Sequence, residues 1–122
     1  MDEMVNNPTL YFRAGQVRHL PYPTTWNRCF GVAQEGDLSC PGPGTYQNGA
    51  YWATPLHYIA TAMKATGHAS FAESIIADAI HDFKTGGIYE DVDYGYPANS
   101  KGVLNYTVRV ANFHLSVTRT VT

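Results

Sequence analysis

"TPLHYIATAMKATGHASFAESIIADAIHDFKTGG", residues 54–87, is the stretch on which the fold turns. Thr54 reads as an N-cap with Pro55 at the first helical position, where a missing N–H costs nothing. Leu56, Ile59, Ala60 and Met63 then recur at helical spacing until Gly67 interrupts them, which predicts a helix over about 55–66. Ser70-Phe71-Ala72-Glu73 matches a capping box, with the Ser70 hydroxyl accepting from the Glu73 N–H and the Glu73 carboxylate returning to Ser70. Ala72, Ile75, Ile76, Ala79, Ile80 and Phe83 continue on one face, Lys84 complements the C-terminal dipole, and Gly86-Gly87 closes a second helix over about 71–85. The link Gly67-His68-Ala69 is so short that the two helices must be antiparallel neighbours, an αα-hairpin.

Working outward, regularity fades on both sides. Residues 1–50 hold five of the seven prolines and six of the eleven glycines, with no sustained period of strand or helix. Residues 1–53 therefore read as an irregular arm ending in an aromatic loop. Such a long structureless segment is uncommon inside a compact domain, so it is expected to pack onto something else or to belong to a larger architecture. Residues 88–102 mix aromatics, acids, Gly and Pro and read as a long loop. The C-terminal element, 103–122, fits either structure. Leu104, Tyr106, Val108 and Val110 alternate like a strand, and Leu104, Val108, Ala111 and Leu115 lie on a helical face.

The 122 residues suit one domain. Eight Lys and Arg face ten Asp and Glu, and no run of like charge exceeds two residues, so no basic face exists for nucleic acid to track. No stretch reaches the ~18 consecutive apolar residues of a membrane span. The N-terminus lacks the basic and apolar regions of a signal peptide, which makes the expected location cytoplasmic and favours free thiols over a disulfide at Cys29 and Cys40. Neither Cys has a second Cys or a His at zinc spacing, and the five histidines are dispersed, so no metal or cofactor is expected.

Two segments carry candidate chemistry. In "GIYEDVD", 87–93, Glu90, Asp91 and Asp93 place three carboxylates beside Tyr89 and Tyr94. Glycoside hydrolysis needs a pair of carboxylates next to rings that hold the sugar, whereas the plain alternative is a solvated acidic loop. A calcium loop starting at Asp91 fails its spacing, because Gly95 and Gly102 stand where oxygen ligands are required. In "GTYQNGAYWATP", 44–55, Asn48-Gly49 supplies a tight turn and Tyr51-Trp52 precede the helix, whose N-terminus presents free N–H donors. That segment reads equally as a packed entry to the hairpin or as the floor of a site.

The order of "GQVRHLP" at 15–21, "PGTYQNGAYWATP" at 43–55, the αα-hairpin, "GIYEDVD" at 87–93 and "GVLNYTVRVAN" at 102–112 resembles the C-terminal part of six-hairpin glycosidases. The likeness runs over most of the chain. It implies a mainly α fold, a partial (α/α)6 toroid, and an ancestral task of inverting acid/base hydrolysis of glycosidic bonds. By that resemblance Glu90 is the catalytic base, Gln47 and Asn48 bond sugar hydroxyls, and Tyr46, Tyr51 and Trp52 shape the subsite. One hairpin is far short of six, no residue matches the general acid, and the β-branched tail differs from a barrel-closing helix. The implied partners are a carbohydrate and either a larger parent chain or further copies of this chain, which would cover the hairpin's apolar face. The alternative is a binding or structural module without catalysis.

Overall fold

The structure, a computed structural model, describes residues 1–25, 48–89, 91–92 and 114. Their elements are α1 (Asp2–Asn6), α2 (Pro8–Tyr11), β1 (Phe12–Arg13), β2 (Gln16–Arg18), β3 (Tyr51–Trp52), α3 (Leu56–Ala65) and α4 (Ala69–Gly86). The strands form one antiparallel sheet in the order β1-β2-β3, so the fold is mixed where a mainly α chain is expected. No helix among the described residues is long and apolar enough to cross a membrane.

The αα-hairpin is present as the periodicity predicts, with different caps. Pro55 sits at the N-cap of α3 and no side chain caps it; the turn is closed instead by the Leu56 N–H on the Ala53 carbonyl at 3.0 Å. Gly67 takes φ +88, which lets its N–H reach Lys64 O at 3.2 Å while the His68 N–H reaches Met63 O at 2.8 Å. This paired closure is a Schellman motif. It leaves His68 as both the end of one turn and the N-cap of α4, so α4 starts at Ala69 and the Ser70–Glu73 capping box does not form. The His68 ring turns outward instead, its Nε2 lying 2.6 Å from an Asp2 carboxylate oxygen, which ties α1 to the start of α4. At the far end Gly87, at φ +86, donates to Phe83 O and stops the helix.

Of the arm expected to be irregular, residues 1–25 carry regular elements, and residues 26–47 lie outside the described residues. Pro8, lacking an N–H, interrupts α1 and opens α2 at its first turn. β1 and β2 pair with Phe12 opposite Val17 and Arg13 opposite Gln16, which leaves a two-residue turn at Ala14-Gly15. Both turn residues have positive φ, +48 and +70, the twist that suits a tight hairpin. Asn-Gly or Asp-Gly would announce such a turn; Ala-Gly does not, because alanine rarely occupies positive φ.

This segment closes the core. Val17 joins Leu56, Ala60, Met63, Ala72, Ile75, Ile76 and Ala79 in one buried cluster, with Met4, Val5 and Phe12 packed against it. The apolar face expected to await neighbouring copies is thus covered by the chain's own N-terminus. Leu56 and Met63 are fully buried, each contributing roughly 2 kcal/mol relative to exposure. Gly15 seals the contact: a Cβ there would collide with the Ile75 carbonyl and the Ala79 N–H and stand 2.7 Å from the Ala79 Cβ. Beside it the buried Gln16 amide donates to Asp82 at 2.5 Å, so the turn is held to α4 by packing and by a charge-assisted hydrogen bond.

Candidate functional site

β2 and β3 pair with Val17 opposite Trp52 and Arg18 opposite Tyr51. On its other side Tyr51 exchanges backbone hydrogen bonds with Val92, both at 3.0 Å. The aromatic loop before α3 is therefore flanked by the "GQVRHLP" strand and by the acidic segment that follows α4. These three stretches, far apart in sequence, meet at Tyr51.

Gly49, at φ +119, lets the chain turn from Asn48 into β3 and aims its carbonyl at Arg18. The Arg18 Nε donates to that oxygen at 2.6 Å, and Nη1 makes a long contact of 3.5 Å with the Leu20 carbonyl. The guanidinium carbon stands 5.4 Å from the Tyr22 ring centre and 5.9 Å from that of Tyr51, within cation–π range of both. Arg18 is only 4% exposed. His19, next on the strand, leans on Trp52 with ring centres 5.5 Å apart. Burial on that side lowers the His19 pKa below its ordinary 6.5 although the residue as a whole is exposed, which favours the neutral ring. Burial raises the Tyr51 phenol above its ordinary value, with the Arg18 charge opposing.

Of the residues singled out from sequence, Asn48, Tyr51 and Trp52 are brought together here, and all three are buried. Tyr46, Gln47 and Glu90 lie outside the described residues, as do Cys29, Cys40 and, apart from His114, the 103–122 element. Asp91 and Val92, next to Glu90, are buried against this end of the sheet. Arg18, His19 and Tyr22 join the constellation and were not foreseen. Their one sequence signal is position within "GQVRHLP", a motif that offers a cation, an imidazole and a nearby ring but no period to show which way they point. Tyr22 is the exposed aromatic of the group, at 57%.

Away from the Tyr51 end, a concavity of about 170 Å³ lies between α2, the β1–β2 turn and α4, lined in part by the edge-to-face pair Phe12 and Phe71. It is below the ~300 Å³ at which small-molecule pockets begin. Among the described residues no group of three His, Cys, Asp or Glu is arranged to hold a metal ion. Compared with known protein families, curated proteins and solved structures, the chain finds no match in any of the three.

Proposed function

We propose that the chain is carbohydrate-active, a partial (α/α)6-toroid unit of the glycoside hydrolase type, with its sugar site at the Tyr51 end of the sheet. In this reading Glu90 acts as general base on a water, Gln47 and Asn48 bond sugar hydroxyls, and Tyr46, Tyr51 and Trp52 shape the subsite. The observation that supports it is the Tyr51–Val92 backbone pair, which puts the acidic segment beside the aromatic loop. Carboxylates next to rings are what glycosidic cleavage requires. The general acid and the remaining walls would come from a larger parent chain or from further copies.

The test is hydrolysis of neutral gluco-oligosaccharides by the wild type and by Glu90→Gln, with binding followed in parallel. Turnover is expected to fall about 100-fold or more in the variant, the usual share of one acid/base group, while binding persists. Unchanged turnover in Glu90→Gln would remove the catalytic role, and absence of binding to any sugar would remove the reading. A second reading, a carbohydrate-binding module without catalysis, is favoured by the way Met4, Val5, Phe12 and Val17 cover the hairpin's apolar face within one chain. Binding without turnover in the wild type identifies it.

A further inference from the structure

The concavity between α2, the β1–β2 turn and α4 holds about 170 Å³, the space of roughly five or six waters at about 30 Å³ each. That is too small to enclose a drug-sized molecule or an oligosaccharide, and it sets the scale of an occupant at a solute of a few carbon atoms. Its walls come from elements that are fixed to one another. Phe12 is held on β1 opposite Val17, Phe71 stands in the first turn of α4, and Gly15 packs the β1–β2 turn against Ile75 and Ala79. The cavity is thus built into the fold rather than opened by a ligand.

Its lining favours one sign of charge. Phe12 and Phe71 meet edge to face, with ring centres 5.7 Å apart and planes at 69°, so they border the space as two non-parallel aromatic walls. The π face of such a ring attracts a cation. Ile75, 3% exposed, adds aliphatic surface. On the α4 side the rim carries Asp78, an exposed residue, and Asp82 follows one helical turn later. Arg13 also borders the cavity, but it follows Phe12 along β1 and so points to the other face of the sheet, where its charge acts on the Tyr51 phenol. A carboxylate at the mouth and rings inside suit a positive charge that carries apolar groups.

We propose that this cavity binds a small alkylammonium ion, with the Asp78 carboxylate meeting the charge and Phe12, Phe71 and Ile75 taking the alkyl surface. The site lies away from the Tyr51 end, so the inference is independent of the carbohydrate reading. A single exposed carboxylate contributes selectivity more than affinity, and the expected Kd is on the order of 1 mM.

NMR titration of the isotope-labelled whole chain tests it, with choline, its uncharged carbon isostere dimethylbutanol, and betaine, which adds a carboxylate to the same cation. Choline is expected to shift the amides of Gly15, Phe71, Ile75 and Asp78, and to bind about tenfold tighter than dimethylbutanol, with an advantage that shrinks as salt is raised. Asp78→Asn, at an exposed helix position, keeps the shape and removes the charge; it is expected to cut the choline advantage to about threefold or less. Phe71→Leu keeps an apolar side chain and is expected to weaken choline about threefold more than dimethylbutanol. Equal binding of choline and dimethylbutanol, or an unchanged ratio in both variants, overturns the proposal. So does the absence of shifts at these amides with choline on the order of 10 mM. Betaine binding more tightly than choline overturns it in favour of a site for zwitterions.

Discussion

At one end of β2, Gly15 and Gln16 press on α4 so closely that no Cβ fits, and the polar group present is engaged at 2.5 Å by Asp82. At the other end Arg18 is also buried, and its hydrogen bonds among the described residues run to the backbone carbonyls of Gly49 and Leu20. One residue, Val17, separates Gln16, engaged by a side-chain carboxylate, from Arg18, engaged by backbone carbonyls. Packing density explains the first end, because interiors tolerate neither voids nor overlap. The second is not a packing solution, since an apolar residue of Arg18's length would fill the space without the cost of burying a charge. Close packing marks where the fold is held.

Substitutions at the two ends should break that contrast or sharpen it. Gly15→Ala forces a side chain into the α4 backbone and into a positive φ at once, and is expected to cost about 4 kcal/mol of unfolding free energy in urea titration. A loss under about 1 kcal/mol would mean that the turn can lift off α4 and that the seam is not tight. Arg18→Met keeps the stem and removes the charge. It leaves the Gly49 carbonyl without its donor but also relieves the burial of a cation, and is expected to leave stability within about 1 kcal/mol of the wild type. A loss of about 3 kcal/mol or more would make Arg18 a structural residue like Gly15 and erase the contrast. The smallest effect belongs to His19. Its pKa is lowered by burial, so the folded state resists protonation; stability should be complete above the unfolded value of 6.5 and decline as pH falls from there toward the lowered folded value. An NMR titration of the ring should place its midpoint below 6.5, and a midpoint at or above that value would show that Trp52 does not shield it.

The hairpin was legible because its information is local. Leu56, Ala60 and Met63, and likewise Ala72, Ile75, Ile76 and Ala79, repeat within the span of two turns, and Gly67 and Gly87 stand where the chain must reverse its handedness. The caps were legible in kind but not in position. Thr54 and Ser70 have cap chemistry, but the Schellman turn at Gly67 uses the His68 N–H and starts α4 before Ser70 is reached. The sheet was hidden for a different reason. Strands of two or three residues are too short to show alternation, and all three residues of β2 are buried, so even a longer run would have lacked a polar face. In the site, the aromatic and amide positions Asn48, Tyr51 and Trp52 stood out by composition. Arg18 and Tyr22 did not, since what distinguishes them is burial and mutual placement rather than residue type.

By itself, then, the sequence determined two antiparallel helices and the glycines that end them, which follow from residue chemistry over short spans. Only the tertiary structure decided that the N-terminal segment folds back as α1, α2 and a tight β-hairpin over the apolar face of α3 and α4. It alone decided that Tyr51 pairs with Arg18 on one side and Val92 on the other. Those pairings join backbone groups from distant parts of the chain, and a hydrogen bond between two peptide units leaves no mark on the side chains that carry the sequence pattern.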